Sequence, residues 1–398
     1  MQNRHLRSLH VNRARSVKLV THKKRRREVL AVELEDVNMR AAALLYDMAA
    51  MQPTERSQFG YKRAAKAIVG LPMSVADLAA AGTLRDIPFV GPSSARVITE
   101  FIETGSSATV DAALAKSSQA SQVAERRSQR EHFLSHFVMQ QALSGSGPAS
   151  HALPGRGNYR GDFQMHSTWS DGGESLAVMA KGCLALGHSC LGITDHSYGL
   201  PIARGMSMAS VAKQHREIDK LNEEFDGTFR IFKGIEANIL ADGSLDLQPD
   251  ERGAFEFVVA SPHSQLRRPD DQTARMLGAV RSTGVAMLGH PRGRMFDTRA
   301  GVLADWDRVF AEAAKRNVAI ELDGNWHRQD LDFALARRAL DAGCIFALDS
   351  DAHSVGELRF SEYAIAHARL ALIPAARVIN CWTNERLEEW MESLRIAD

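Results

Sequence analysis

Histidine and carboxylate residues recur in one kind of position in the C-terminal two-thirds of this 398-residue chain, just after short apolar runs. These residues are Asp195, His196, Glu236, His263, His290, Asp349, Asp351 and His353. One histidine after an apolar run is ordinarily a hydrogen-bonded core or loop residue, but this repetition indicates a metal site. Imidazole and carboxylate ligands without thiolates suit Zn, Mn, Fe or Mg. The chemistry implied is hydrolysis by metal-activated water.

A further set of ligand-type residues lies upstream of this series, between Asp162 and Gly172. Gln164 and His166 alternate along the chain, which puts both side chains on the same side of an extended segment. Asp171 follows a few residues later. We therefore expect these three residues to join the same site.

The elements that must position these residues are strands of a parallel barrel. After Arg160, apolar runs alternate with helical stretches, as in βα units. The candidate strands are Cys190–Thr194, Arg230–Ile235, Phe257–Ala260, Val285–Leu288, Val318–Leu322 and Ile345–Leu348. The C-terminal ends of parallel barrel strands converge on one face, so residues distant in sequence meet in one pocket there. The sequence predicts an α/β fold with a (βα) barrel.

The first 160 residues have a different texture. Residues 1–27 are rich in Arg and Lys and contain no acidic residue before Glu28. The predicted organisation is a basic flexible arm at 1–30, a small all-α domain at 31–106, a helix with a Gly/Ser/Pro linker at 107–158, and the barrel at 159–398. Within the all-α domain, helices are predicted around Met39–Met48, Tyr61–Val69 and Val75–Ala81. The segment that follows this domain is predicted to contain one amphipathic helix at about Ala120–Ala142.

The segment Leu84–Ile98 reads as two apolar helical pieces joined by a tight turn at Gly91, which resembles a helix-hairpin-helix. A glycine turn lets the backbone approach a phosphate, and the N–H groups that open the second helix can bind its oxygens. The candidate DNA contacts are Lys62, Arg63, Lys66, Gly91, Ser93 and Arg96. DNA binding and a simple helix-packing corner both stay open, because Phe89 replaces the usual first glycine and Pro92 has no N–H to donate.

Composition sets the broad class. The chain is 44% hydrophobic and 24% charged with a net charge of +1, which is typical of a globular protein and gives no overall attraction to nucleic acid. No apolar run approaches the length of about 18 residues that a membrane span needs, and no secretory signal is evident. We expect a cytoplasmic protein without a membrane partner.

The site motifs resemble, in order, those of PHP (polymerase and histidinol phosphatase) domains over about residues 160–395. They are Gln164-Met165-His166, Ser170-Asp171-Gly172, Thr194-Asp195-His196, Gly234-Ile235-Glu236 and Ser350-Asp351-Ala352-His353. The resemblance implies a distorted seven-stranded barrel that binds two to three divalent ions, with Zn, Mn or Fe favoured over Mg. It assigns Gln164, His166, Glu236 and Asp351 to a first ion, Glu236, His263 and His290 to a second, and Asp171, His196 and His353 to a third. Gln164 departs from the histidine commonest at its position.

The helical domain resembles the N-terminal 8-kDa domain of bacterial family X DNA polymerases, which also carry PHP domains. Between Gly105 and Gly157 there is no room for a polymerase palm and fingers, so polymerase activity is not expected. The lysine nucleophile of lyase-competent relatives falls near Ser74, so lyase activity is not expected either, although Lys62 and Lys66 stay open as substitutes.

These observations together predict a metal-dependent phosphoesterase that acts on DNA or nucleotides, as a 3′–5′ exonuclease linked to DNA repair. The predicted catalytic residues are Asp171, His196, Glu236, Asp351 and His353, with Arg292, Arg294 and Arg204 as phosphate-binding residues. Asp195 is expected to orient His196. Two alternatives stay open: a small-molecule phosphomonoesterase acting on histidinol phosphate or a nucleotide, and a non-catalytic DNA-binding repair accessory protein.

Overall fold

Seven α-helices precede the first strand in the computed structural model of the chain, which describes residues 35–145 and 152–396. They are α1 (Val37–Ala50), α2 (Glu55–Val69), α3 (Val75–Ala80), α4 (Pro92–Thr104), α5 (Ala108–Lys116), α6 (Ala120–Gln129) and α7 (His136–Ser144). The predicted basic arm at 1–30 lies outside the described residues, as do residues 146–151 of the predicted linker.

The predicted single helix Ala120–Ala142 is wrong, because this stretch forms α6 and α7 with a break between them. His132, within the break, has a positive φ of 59°, which a continuous helix does not accommodate. Ser135 then starts α7, since its side chain accepts a hydrogen bond from Val138 N and caps the helix. The amphipathic pattern continues across the break and therefore hides it.

The hairpin differs from its prediction in its first half, where Leu84–Asp86 is one turn of 3-10 helix. The second half is α4, which begins at Pro92 with Gly91 as its N-cap. α4 buries Val97 and Ile98 in the core of the helical domain. The hairpin is thus packed on one side, and its turn is left at the surface.

Seven parallel strands follow, paired in sequence order from β1 to β7. They are β1 (Gly161–Asp162), β2 (Cys190–Ile193), β3 (Arg230–Asn238), β4 (Phe257–Ser261), β5 (Val285–Leu288), β6 (Ala319–Asp323) and β7 (Phe346–Asp349). A bridge between Met165 and Ala352 links the segments that follow β1 and β7, so the sheet curls into a nearly closed barrel. The predicted seven-stranded α/β barrel behind an all-α domain is confirmed.

The helices of the barrel surround this sheet and cover its outer face. They are α8 (Leu176–Ala185), α9 (Met208–Phe225), α10 (Pro249–Arg252), α11 (Thr273–Arg281), α12 (Trp306–Arg316), α13 (Phe333–Asp341), α14 (Ser361–Leu370) and α15 (Asn384–Ile396). Phe163, Phe232 and Phe257 pack together in one core cluster, with ring centroids about 6 Å apart. A Cβ at Gly192 would come within 2.6 Å of the Phe257 ring, so glycine is required there.

The helical domain and the barrel belong to one compact unit, Val37–Asp398. Phe296, from the segment after β5, inserts into the core of the helical domain, where its ring lies 5.2 Å from Tyr46 and 5.0 Å from Phe133. Arg130 forms buried ion pairs with Asp47 of α1 at 2.6 Å and with Asp297 of the barrel at 3.2 Å. These contacts fix the helical domain against the barrel. None of the helices in residues 35–145 and 152–396 has the length and apolarity required to cross a bilayer.

Gln329, in the segment after β6, joins three parts of the protein through hydrogen bonds. Its Oε1 accepts from Leu134 N at 2.8 Å, and its Nε2 donates to Leu134 O at 3.2 Å. His367 of α14 accepts from Phe333 N through Nδ1, so its Nε2 carries the proton and donates to Gln329 Oε1 at 2.8 Å. Burial lowers the pKa of His367 to about 3, which keeps the ring neutral in this role.

We expect Gln329→Ala to lower the free energy of unfolding by about 2–4 kcal/mol, because it leaves the buried N–H and C=O of Leu134 without their partner. Urea denaturation followed by circular dichroism measures this change. Gln140→Ala on α7 is the matched control, since Gln140 is exposed, and its effect should stay within about 0.5 kcal/mol. Equal stability of the two variants would contradict the assignment.

Candidate metal centre

Glu236, near the end of β3, is the common neighbour of the ligand-type histidines. Its Oε1 lies 2.9 Å from His290 Nε2 and 3.5 Å from His263 Nε2. Its Oε2 lies 2.9 Å from His196 Nδ1 and 3.6 Å from His166 Nε2. The residue is fully buried. Four imidazoles therefore converge on one carboxylate.

Asp171 is the centre of a second group that shares two of these histidines. Its Oδ1 lies 3.4 Å from His353 Nε2, 3.6 Å from His196 Nε2 and 3.9 Å from His166 Nδ1. The rings of His196 and His353 stack on the two sides of His166, with centroids 4.4 Å and 4.3 Å away. All four ligand atoms of this group lie within 4.8 Å of one another, close enough to hold a metal ion.

Gln164 and Asp351 complete the set predicted around the first ion. Gln164 Nε2 donates to Glu236 Oε1 at 2.8 Å, so its amide nitrogen holds the carboxylate. His166 Nε2 lies 3.2 Å from Asp351 Oδ1. The alternation of Gln164 and His166 thus brings both side chains to Glu236, although the strand β1 ends earlier, at Asp162.

Two of these residues have an unusual backbone, since φ is 22° at His290 and 52° at Asp351. Positive φ costs free energy for a residue other than glycine and persists when its surroundings impose it. His290 N donates to the buried Glu321 carboxylate of β6, which fixes the turn after β5. Both residues leave their strands through these turns, and their side chains are then directed into the cluster.

The pKa shifts follow from burial and mutual proximity. Burial by itself would raise the pKa of Glu236, but His196 and His263 hold it well below its ordinary value. Burial lowers the pKa of His263 to about 3. His353 opposes the effect of burial on Asp171 and holds the pKa of that carboxyl at about 2. The site therefore combines ionised carboxylates with closely packed imidazoles.

The side chains of the cluster fit divalent metal ions, because several of their buried nitrogen and oxygen atoms lack a hydrogen-bond partner. His196 Nδ1 and Glu236 Oε2 are 2.9 Å apart and buried, yet neither has a hydrogen-bond partner of acceptable geometry. Asp351 Oδ2 is likewise buried without a hydrogen-bond partner of acceptable geometry. His353 Nδ1 donates to Asp351 O at 2.9 Å, which orients the ring so that Nε2 faces Asp171 Oδ1 at 3.4 Å. Second-shell carbonyls orient metal-binding histidines in this way.

A cavity of about 230 Å³ opens onto the cluster. Asp171, His196, His263, Asp351 and His353 line it, together with Arg328 and the apolar segment from Leu200 to Ala203. Ile202 on this segment is 92% exposed. The cluster is thus accessible from one side.

The chain is similar in sequence to several known proteins. A helix-hairpin-helix domain model matches residues 36–107. The chain is 35% identical over 237 residues to the DNA polymerase/3'-5' exonuclease PolX of Bacillus subtilis (strain 168), covering 59% of this chain and 41% of that protein. It is 30% identical over 190 residues to a protein of Vibrio atlanticus (strain LGP32) named a probable phosphatase, covering 45% of this chain and 71% of that one. The chain belongs to the PHP family.

Among solved structures, the histidinol phosphate phosphatase of Lactococcus lactis subsp. lactis, complexed with Zn, L-histidinol and phosphate, matches 53% of this chain and 94% of its own, at 16% identity and a TM-score of 0.39. The PHP chain spans less than half the length of PolX. The names of these relatives, a 3'-5' exonuclease and a probable phosphatase, agree with the predicted class of metal-dependent phosphoester hydrolase.

Three arginines predicted to bind phosphate lie elsewhere in the PHP domain. Arg294 is buried and pairs with Asp332 at 3.2 Å, while its Nε donates to Arg328 O at 2.9 Å. Arg292 also pairs with Asp332 at 3.2 Å. Both line a different cavity, and Arg204 is exposed outside the lining of the metal cavity. The structure thus places none of the three in the lining of the metal cavity, and Arg294 instead supports the loop that carries Arg328.

Arg328 was missed by sequence reasoning, although it reaches the cluster. Its Nη1 lies 3.2 Å from Asp351 Oδ2 and 3.7 Å from Asp323 Oδ2. These carboxylates overcome the effect of burial and raise the pKa of the guanidinium. The signal was available, because Gly324–Gln329 follows β6 in the same way that the ligand-bearing segments follow their strands.

Asp195 has a different role from the one predicted. Its carboxylate accepts from Ser167 N and Oγ, from Ser170 N and Oγ, and from Gln214 Nε2. It therefore fixes the loop between His166 and Asp171 and leaves the His196 ring to other neighbours. Two ligand-type residues on this loop are positioned by one buried carboxylate.

The candidate DNA-contacting residues lie on the surface of the helical domain. Lys62, Arg63 and Lys66 are exposed on α2, and Ser93 and Arg96 are exposed on α4. Gly91 has an ordinary extended conformation with φ −87°, and a Cβ there would meet nothing within 4 Å. Ser74 caps α3, since its side chain accepts a hydrogen bond from Ala76 N.

We expect Glu236→Gln to lose at least one bound metal ion per chain, because the neutral amide removes the charge that the histidines surround. Metal content after dialysis against Mn²⁺ or Zn²⁺ measures this loss. In this variant, added metal should no longer raise the midpoint of thermal unfolding. In a protein that binds the metal, a concentration of 100 times Kd adds about 2.7 kcal/mol to the free energy of unfolding. Glu388→Gln, on the exposed face of α15, should keep the wild-type metal content. Full occupancy in Glu236→Gln would exclude this centre.

Proposed function

We propose that this protein is a metal-dependent phosphodiesterase that removes nucleotides from the 3′ end of DNA in the course of DNA repair. The observation that carries the proposal is that a helix-hairpin-helix domain and the His/Asp/Glu cluster belong to one compact unit. The 35% sequence identity to PolX, which is named a DNA polymerase/3'-5' exonuclease, also supports DNA as the substrate. A phosphate-binding domain fixed beside a hydrolytic site favours a polymeric phosphodiester.

The ligand set proposed for the metals is Gln164, His166, Asp171, His196, Glu236, His263, His290, Asp351 and His353. Of these, Asp171, His196, Glu236, Asp351 and His353 are proposed to be catalytic. Two to three ions are proposed, with Zn, Mn or Fe preferred over Mg because imidazoles dominate the set. Gln164 differs from the others, since its amide nitrogen faces Glu236 and orients that carboxylate.

Divalent ions at this cluster supply an acidified water and neutralise negative charge on the phosphate. The chain's own residues supply position. Glu236 fixes the imidazoles around it, Asp195 fixes the loop that carries Asp171, and the Asp351 carbonyl fixes the tautomer of His353. Such prior alignment lowers the barrier because little reorganisation remains at the moment of reaction.

Arg328 is proposed to bind a non-bridging oxygen of the scissile phosphate. It lines the metal cavity, and its Nη1 lacks a hydrogen-bond partner although it is buried beside Asp351. A planar guanidinium with several donors suits a phosphate in which charge increases in the transition state. Its backbone is held by Arg294, so the guanidinium starts from a defined position.

A second candidate function, a small-molecule phosphomonoesterase, is supported by the protein named a probable phosphatase, 71% of which aligns with this chain. In that case the helical domain would serve in packing, and binding of DNA would not be needed. The two candidates differ in substrate, and the same metal cluster serves either.

The substrate test compares shortening of a 5′-labelled single-stranded oligonucleotide with phosphate release from histidinol phosphate, each with Mn²⁺ or Zn²⁺. We expect metal-dependent removal of 3′ nucleotides that falls at least about 100-fold in His353→Ala, because that variant loses a proposed ligand. His136→Ala on α7, outside the cluster, is the matched control. Phosphate release without shortening would replace the nuclease with the phosphomonoesterase, and no activity in metal-loaded protein would contradict both.

The role of Arg328 is tested by Arg328→Ala and Arg328→Lys, measured on the same oligonucleotide. We expect kcat/KM to fall about 100- to 1000-fold in the alanine variant, the usual cost of removing one donor to transition-state charge, with partial recovery in the lysine variant. Metal content should stay at the wild-type value. Arg292→Ala, which changes the cavity on the other side of the loop, should have a far smaller effect on kcat/KM. If Arg292→Ala lowered kcat/KM more than Arg328→Ala does, Arg292 and not Arg328 would be the residue that contacts the phosphate.

A further inference from the structure

Two phenylalanines and an arginine form an exposed stack at the hairpin of the helical domain. Phe59 is 59% exposed and Phe89 is 54% exposed, which is unusual for large apolar side chains. The Arg63 guanidinium lies 3.5 Å from the centroid of the Phe89 ring and 5.3 Å from that of Phe59. The arginine covers part of Phe89, and over half of this residue is still open to a ligand.

Phe89 has a conformation that its own side chain disfavours. Its φ is 68°, in the left-handed region where glycine is preferred and a bulky residue is strained. The exposed ring contributes little buried area in return for this strain. A strained residue at the surface of a binding domain is a reason to infer a function for its side chain.

A second cation and aromatic pair lies one turn along α2, toward the metal centre. Lys66 Nζ is 4.9 Å from the centroid of the Trp326 ring, and Trp326 packs against the exposed His327 with centroids 3.4 Å apart. Arg63 and Lys66 are three residues apart and so lie on one face of the helix. Trp326 belongs to the loop that also carries Arg328 into the metal cavity.

We propose that the exposed face of α2, with Phe89 at one end and Trp326 at the other, binds single-stranded DNA and directs its 3′ end to the metal centre. Bases stack on Phe89 and Trp326, and phosphates contact Arg63 and Lys66. A single strand presents base faces and phosphates in alternation, which this surface matches in chemistry, whereas a duplex hides its base faces. The inference rests on the proposed nuclease function and narrows its substrate to single strands.

The decisive variant is Phe89→Gly, because glycine accepts the backbone conformation and folding should not suffer. The readout is fluorescence anisotropy of a 5′-fluorescein oligo(dT) with phosphorothioate 3′ linkages, added to metal-loaded full-length protein. We expect Kd to rise about 5- to 100-fold, the usual range for loss of one stacked base. Leu372→Gly, another exposed residue with a positive φ of 58°, is the matched backbone control and should leave Kd unchanged.

Charge and stacking are separated by salt titration. Arg63→Ala should reduce the slope of log Kd against log salt by about 0.7, as expected for one phosphate contact on a single strand. Phe89→Gly should keep the slope, since it removes no charge. Arg85→Ala, an exposed arginine of the same domain, should keep both Kd and slope near wild type.

The outcomes distinguish this inference from the proposed function. Equal Kd values for wild type, Phe89→Gly and Trp326→Ala would overturn the stacking surface even if wild-type protein shortens oligonucleotides. Binding of a DNA duplex as tightly as oligo(dT) would overturn it as well. If Kd rises in both variants but the wild-type protein shortens no oligonucleotide, the result would support the stacking surface and contradict the nuclease function.

Discussion

The fully buried charge of Glu236 is the constraint on which the site depends. A carboxylate removed from water needs compensating partners, and here His166, His196, His263 and His290 approach it from different strands. Gln164 adds a hydrogen bond from its amide. The same arrangement that compensates the charge also brings imidazole lone pairs within the reach of a metal ion. The arrangement of histidines that compensates the buried charge is thus also the arrangement that metal binding requires.

The barrel satisfies this demand because its seven parallel strands end on one face, and buried carboxylates behind that face fix the loops. Asp195 holds the loop after His166, and Glu321 holds the turn at His290. Asp349 accepts from Phe163 N, and burial raises its pKa to about 7. These residues lie outside the lining of the cavity at the cluster, but they fix the segments that carry the cluster residues.

The sequence predicted the strands of the barrel well, because burial of parallel strands produces apolar runs and the residue after each run must lie at the barrel mouth. It failed where a position depends on packing between distant segments. Arg294 was predicted to bind phosphate and Arg328 was missed, yet Arg294 is buried against Phe133 and Arg328 lines the cavity. The break between α6 and α7 was hidden for a similar reason, since Phe133 within it packs against Phe296 from the barrel.

One loop, Gly324–Gln329, connects the parts of the protein that sequence analysis treats separately. Trp326 contacts Lys66 of the helical domain, Arg328 reaches Asp351 in the metal centre, and Gln329 is hydrogen-bonded to Leu134 between α6 and α7. These three residues are nearly consecutive, so one short backbone segment carries all three contacts. The helical domain therefore contacts the loop that carries Arg328. Its contact with Trp326 helps to set the position of the guanidinium that we propose binds the scissile phosphate.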